Sequence, residues 1–346
     1  MNTQTVIKSI KIKKLFGKHD LNIDFEQLTI IVGKNGLGKT TLLKIIDGLL
    51  KQKYYIDYQK VCESIELELK DGPIICYGAV TDKFLDSITS EEISSFMVNN
   101  TKILESINDI LKDAIPPGIE NRDELLKSIV SSLAKQENVV ERAKKDLVSS
   151  FSKEKDAILV NKQRLNKLVG DVNIRYISTV NISANSGNKI DFGNSVEKNV
   201  LDVAINEELR TLQDKGSKIA FKSFESQLNL FLKESGKSLH ITNGEWEFES
   251  DNGLHLNLSQ LSSGERQLIY ILATAANTIG KPTLFLMDEP EVSLHLSWQE
   301  KIIDAIMKIN PQMQIIAVTH SPGIVMSGHM DSYVEMNDLL KGAENV

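Results

Sequence analysis

The chain has 346 residues, 40 lysines and arginines against 47 aspartates and glutamates, and a net charge of −7. That acidic balance argues against bulk electrostatic binding to nucleic acid or to an anionic membrane, while leaving room for a local basic patch. The 41% hydrophobic content is enough for one large core or two. The two cysteines, Cys62 and Cys76, lack CxxC spacing, which offers no zinc site and suits a reducing cytosol. No apolar run approaches the about 20 residues of a membrane span. The N-terminus, MNTQTVIKSIKIKK, lacks the apolar core of a signal peptide. A cytoplasmic protein is expected.

In chain order, residues 5–32 read as short strands. VIKSIKIKKL alternates, and DLNIDF leads to LTIIV, an apolar run with the look of a buried parallel strand. Next comes GKNGLGKTT, Gly33 to Thr41, and then TLLKIIDGLL with apolar residues at helical spacing. Strand, glycine loop and helix form the context that the phosphate-loop pattern GxxxxGK[ST] requires. Gly33, Gly36 and Gly38 let backbone N–H groups turn inward around phosphate oxygens. Lys39 can reach the β- and γ-phosphates, and Thr40 can offer its hydroxyl to Mg²⁺. The opening helix adds its positive end. Asn35 and Thr41 complete the candidate nucleotide-binding loop.

YYIDYQKV and SIELELK alternate as strands, and PIICYGAV reads as a buried one. From about Asp82 to Val169 glycine nearly disappears, and Lys, Glu, Ser and Leu dominate. Apolar residues recur at i, i+3, i+4 and i+7 through DELLKSIVSSLAKQENVVERAKKDLVSSF and KEKDAILVNKQRLNKLV. This reads as a helical insertion, broken at Pro116-Pro117-Gly118 and too irregular in phase for a long coiled coil. NIRYISTV is a core strand followed by a polar loop, and about Val196 to Ser235 is helical again. SLHITNGEWEFES and GLHLNLSQL alternate around an Asp251-Asn252-Gly253 hairpin turn. The fold class expected is α/β. The domains expected are a lobe over 1–81, the insertion over 82–170 and a second lobe over 171–346.

Three further motifs fall in the last 90 or so residues. LSSGERQ, Leu261 to Gln267, opens an apolar helix with a Ser-Ser-Gly turn, a second anion-binding end. PTLFLMDEP is a buried strand ending in two carboxylates. Asp288 is expected to hold Mg²⁺ through water, and Glu289 to stand where the water attacking a γ-phosphate must be oriented. QIIAVTHSP is an apolar strand ending in Thr319 and His320. A histidine at such a strand end can contact a γ-phosphate, because ligands gather at strand carboxyl ends.

Taken together, GKNGLGKT, LSSGE, LFLMDEP and VTH resemble the ABC-type ATPases, in the branch that includes RecF, the SMC proteins and the OLD-type ATPases. The resemblance implies an ABC-type head whose sheet core carries an antiparallel β subdomain and the insertion. It implies two heads sandwiching two ATP molecules, each glycine loop facing the signature helix of the other head. Lys39 and Thr40 would then hold phosphates and Mg²⁺, and Ser262, Ser263, Gly264 and Glu265 would meet the partner's nucleotide. Asp288 would bind Mg²⁺, Glu289 would be the general base with Glu291 in reserve, and His320 the switch histidine. Asn181 stands where the family's glutamine loop would be, and Phe16 and His19 are candidates to stack on adenine. The run Glu289 to His295 resembles the soluble OLD-like ATPases, including stand-alone subunits of bacterial anti-phage systems such as PARIS. With Val346 soon after His320, the expectation is a switch that controls a separate effector, a nuclease, with DNA or a phage protein as trigger. The alternatives are a RecF- or SMC-like DNA-repair or tethering ATPase and, fitting less well, a transporter ATPase subunit.

Overall fold

The structure is a computed structural model. It describes residues 6–342 except 54, 71–73, 90–91, 93–131, 133–135, 152–157, 161–164, 166–169, 171, 179–188, 192–196, 243–244 and 327. The fold class is α/β, and the chain divides into two units, each discontinuous in sequence.

The first unit comprises Met1–Ser9, Asn22–Ile56 and Asn166–Lys341. Its centre is a five-stranded sheet in the order Tyr333–Glu335, Leu28–Val32, Met313–Thr319, Thr283–Asp288, Asn173–Ser178. Every neighbouring pair is parallel. The three inner strands are buried along their whole length, as expected for a parallel sheet covered on both faces. Their apolar runs leave no polar face to turn toward water. Gln314 is a polar exception, fully buried but satisfied. It accepts from the Val6 and Ile7 amides at 2.7 and 2.9 Å and donates to the carbonyls of Ile7 and Glu26.

Helix Lys39–Lys51 buries Leu42, Leu43, Ile45, Ile46, Leu49 and Leu50 and packs on the strand Thr283–Asp288. Helices Val200–Lys215, Lys218–Leu232, Ser263–Ala276 and Leu296–Ile309 contribute buried faces to one continuous core. The expected turn is present: the Gly253 amide donates to Ser250 O at 2.8 Å, with Gly253 at φ +73°. The stretch before it is not one strand. Lys237–Thr242 pairs antiparallel with Glu245–Ser250, so a second hairpin precedes the expected one.

The second unit comprises Ile10–Leu21, Asp57–Leu165 and Gly342–Val346. Ser64–Leu69, Ile74–Tyr77 and Ile158–Val160 form antiparallel neighbours in it. Two sequence expectations change here. Tyr58–Val61 is a helical turn rather than a strand, and Tyr58 is buried edge-on against Tyr77 with ring centroids 5.1 Å apart. Ile158–Val160, read as part of a helix, instead takes the edge of Ile74–Tyr77. Three consecutive apolar residues, two of them β-branched, suit that edge better than one face of a helix. Helices Asp82–Ser87 and Glu137–Phe151 agree with the helical reading. The Pro116 to Gly118 break lies outside the described residues. Burial pushes the thiols of Cys62 and Cys76 up to about 12 and about 11, so both behave as small apolar side chains. Among the described residues no helix is long and apolar enough to cross a membrane.

Candidate functional site

Because the sheet is parallel, its carboxyl ends bring together segments far apart in sequence. Val32 pairs with Thr319, and Asp288 with Val318 and Ser178. The residues that follow these ends are Gly33, His320 and Glu289.

Gly33, Gly36 and Gly38 all have positive φ, at +154°, +86° and +93°. A Cβ on Gly33 would lie 3.0 Å from both Leu37 Cδ1 and Met336 Cβ, so those side chains would have to give way to any larger residue there. Helix Lys39–Lys51 begins at Gly38 with no side-chain cap and no acid in its first turn. Its first amides and the positive end of its dipole are therefore open to an anion. Asn35 and Gly36 are exposed, and Thr41 is half-buried on the first turn. Lys39 is buried at 6% exposure, with Nζ donating to Gly33 O at 2.7 Å and Lys34 O at 3.1 Å. Burial lowers its pKa, and the charges of Glu289, Asp288 and Glu291 oppose that. A cation held out of water beside an uncapped helix end is prepared for a phosphate.

Thr40 and Asp288 meet directly. The Thr40 hydroxyl donates to Asp288 Oδ1 at 2.8 Å, and the Tyr176 hydroxyl donates to Oδ2 at 3.2 Å. The sequence reading missed Tyr176. Its strand had been recognised, and Tyr176 stands opposite Leu286, two residues before Asp288. Tyr176 lies in the half-buried part of that strand, Asn173–Tyr176, where nothing in NIRYIS distinguishes it from an ordinary packing residue. Burial, and then the Asp288 charge, raise the Tyr176 pKa, so it remains a neutral donor.

Glu289 has φ +51°, a left-handed conformation unusual for a residue with a side chain. Its amide donates to Val318 O at 2.9 Å, which ties the acid loop to the neighbouring strand. Glu289 Oε1 lies 2.9 Å from His320 Nε2, and Lys39 Nζ lies 3.2 Å from the same nitrogen. The imidazole therefore stands between the buried cation and the carboxylate, donating to one or accepting from the other according to its tautomer. Glu291 is turned the other way, into the turn that carries His320.

The signature helix, Ser263–Ala276, differs from the glycine-loop helix at its start. Ser262 Oγ accepts from the Glu265 amide at 3.2 Å, and Glu265 Oε2 accepts from the Ser262 amide at 2.7 Å, a complete capping box. Glu265 is 1% exposed, and its Oε1 accepts from the Ser235 hydroxyl at 2.7 Å and Lys237 Nζ at 2.8 Å. Burial works to raise its pKa. The Lys237, Ser235 and Ser262 hydrogen bonds and the Lys237 charge outweigh that and hold it below the ordinary value. Gly264 is buried, and a Cβ there would lie 2.5 Å from Ser293 O. Gln267 Nε2 donates to Pro290 O at 3.1 Å. The signature turn thus has a structural role within its own head, which the sequence reading did not give it. Ser262 is exposed although its hydroxyl and amide belong to the capping box, and Ser263 is half-buried.

Of the remaining candidates, Phe16 and His19 belong to the second unit, Phe16 at φ +53° and 42% exposed. Asn181 lies outside the described residues.

A protein-family model described as "AAA ATPase domain" matches residues 6–325. The chain is 26% identical over 351 residues to the Septu protein PtuA of Bacillus thuringiensis, covering 96% of this chain and 76% of that one. It is 22% identical over 404 residues to the Retron Vc95 probable ATPase of Vibrio cholerae serotype O1 biovar El Tor, covering 98% and 76%. Among solved structures, an SMC head domain from Thermotoga maritima is 14% identical, with 93% and 92% coverage and a TM-score of 0.47. That last likeness says nothing about activity.

Proposed function

Because the chain belongs to the AAA ATPase domain family, we propose that it binds ATP with Mg²⁺ at the carboxyl ends of the parallel strands and hydrolyses it. The convergence of Lys39, the Thr40–Asp288 pair and the Glu289–His320 pair on those ends carries this assignment. The donor set fits Mg²⁺. Among the described residues no group of three or more His, Cys, Asp or Glu could hold a metal unaided. One carboxylate and one hydroxyl, with the nucleotide's own phosphates, are the oxygen ligands that Mg²⁺ ordinarily takes. Thr40 and Asp288 would hold the ion, which when bound neutralises charge on the phosphoryl group.

The chain's own residues do the rest. The amides of the Gly33 to Lys39 loop receive the phosphates, and Lys39 Nζ exchanges its two carbonyl partners for phosphate oxygens. Glu289 orients a water in line with the γ-phosphorus and accepts its proton. His320, beside both Glu289 and Lys39, contacts the γ-phosphate and so distinguishes ATP from ADP.

In this reading two heads pair on ATP, Ser262, Ser263 and Gly264 of one facing the nucleotide of the other. The pair is a cytoplasmic switch that controls a separate effector, a nuclease, in anti-phage defence. The resemblance of the Glu289 to His295 run supports that role, as do relatives named as a Septu protein and a retron ATPase. The test is ATP turnover by the purified chain with and without Mg²⁺, together with co-purification of a nuclease chain encoded beside it. A DNA-repair or tethering ATPase would instead show turnover stimulated by DNA, with no effector bound.

A further inference from the structure

A single carboxylate oxygen organises the turn that carries His320. Glu291 Oε1 accepts from the Thr319 hydroxyl at 2.6 Å, the His320 amide at 2.9 Å and the Ser321 amide at 3.2 Å. The Ser321 amide also donates to Thr319 Oγ1 at 2.8 Å, and the Ser321 hydroxyl bonds Gln299 Oε1. Gln299 Nε2 returns to the acid loop by donating to Leu294 O at 2.8 Å. The acid loop and the histidine turn are therefore one hydrogen-bonded body, in which Glu291 supplies the acceptor that three donors share. Hydrogen bonds to an ionised oxygen are about twice as strong as neutral ones.

We propose that Glu291 is a positioning residue for His320, holding the turn so that the imidazole stands between Glu289 and Lys39, and is not a second general base. Three donors saturate Oε1. Oε2 is buried with no hydrogen-bond partner among the described residues, so neither carboxylate oxygen is presented to solvent as a free acceptor. The His320 amide is itself one of the three donors. Losing the carboxylate frees the backbone from which the ring projects, while leaving Lys39, Thr40 and Asp288 in place. The kinetic part of this inference rests on the proposed ATP hydrolysis, but the geometric part does not.

The two parts are tested separately. First, ring ¹H–¹⁵N correlation spectra of the full chain without nucleotide report the state of the His320 imidazole, assigned through His320→Ala. Glu291→Ala should move the His320 ring signals away from the wild-type positions, toward those of an imidazole without the Glu289 and Lys39 contacts. Glu291→Gln, which retains one oxygen acceptor, should leave them near the wild-type positions. Thr319→Val removes one donor without touching the carboxylate and should give an intermediate shift, which keeps the test available if Glu291→Ala does not fold. Unchanged His320 signals in Glu291→Ala, or in Thr319→Val should it stand in, would overturn the proposal.

Second, displacement of a contact group by about 1 Å commonly costs about 10²-fold. Glu291→Ala should lower kcat for ATP by that order with little change in KM. The double variant Glu291→Ala/His320→Ala should lose no more than His320→Ala alone, because Glu291 acts through the histidine. Losses that multiply would show Glu291 acting independently and overturn its positioning role. A wild-type chain that turns over no ATP would refute the hydrolysis reading, while the ring spectra would still decide what Glu291 does.

Discussion

Lys39 shows the site's requirements working against stability. Burial lowers its pKa, so the fold disfavours its charged form, and the Glu289, Asp288 and Glu291 charges only partly offset this. A lysine whose folded pKa is depressed destabilises the fold at low pH, and that cost disappears as pH rises toward its ordinary value of 10.5. Lys39→Met, which keeps the stem and removes the charge, should leave the melting temperature of the nucleotide-free chain unchanged or higher. It should also weaken ATP binding by about 100-fold or more, about 2.7 kcal/mol. Calorimetric titration and a thermal melt read both, and unchanged ATP affinity would remove Lys39 from the site. Glu289→Gln keeps shape and hydrogen bonding but cannot take a proton. Single-turnover hydrolysis should fall by about two to four orders of magnitude while ATP still binds. Near wild-type turnover would remove Glu289 as the base, with Glu291 a poor replacement given its bonds to the histidine turn. Tyr176→Phe takes one of two hydroxyl donors from Asp288. Outer partners of metal ligands are commonly worth about 10- to 100-fold, so the Mg²⁺ concentration giving half-maximal turnover should rise at least to the lower figure.

The elements that carry the site were the most legible part of the chain. LTIIV, LFLM and QIIAV are apolar runs that only a strand covered on both faces can bury, and each ends at a residue type with phosphate or metal chemistry. Tyr176 is not legible in the same way: its strand is half-buried over Asn173–Tyr176, and its place two residues short of Asp288 comes from a pairing with Leu286 that no local pattern shows. Local signals misled where a pairing partner decided the outcome. Ile158–Val160 became a strand because Ile74–Tyr77 had an edge to fill. The dipeptide Asn243-Gly244, a strong hairpin signal, was passed over in favour of Asp251-Asn252-Gly253. The sequence reads the signature helix as an anion-binding end, but its internal role depends on Lys237, Ser235 and Ser293, which no local pattern connects to it. That role has a pH signature. The Glu265 carboxyl is held below its ordinary 4.5, so its contribution is fully present above that pH and lost as pH falls through the lowered value. Removing one member of a buried ion pair costs about 3–5 kcal/mol. Glu265→Ala should therefore melt well below wild type at pH 7 and show a shallower acid limb. Matching acid limbs by calorimetry would mean the pair contributes nothing.

At the scale of the whole molecule the proposed pairing of two heads makes its own prediction. The capping box occupies the Glu265 amide, which leaves the Ser263 and Gly264 amides as the open donors at the signature helix start. Gly264→Arg, the obvious substitution to block pairing, is a poor probe. Even a methyl group there would meet Ser293 O at 2.5 Å, so the head itself would be disturbed. Ser263→Glu separates the two effects by sign. A carboxylate in the first turn of a helix is favourable within its own head, by about 0.3–1 kcal/mol. The same carboxylate would repel a γ-phosphate presented by a partner. The variant should therefore melt at or above the wild-type temperature and bind ATP normally as a single head. Combined with Glu289→Gln, it should abolish the ATP-dependent pair that Glu289→Gln alone traps on size-exclusion chromatography. If hydrolysis requires closure of two heads, Ser263→Glu by itself should also lose turnover. Wild-type turnover in a variant that binds ATP and folds normally would mean that one head completes the site alone. Regulation by pairing would then have to be sought elsewhere on the surface.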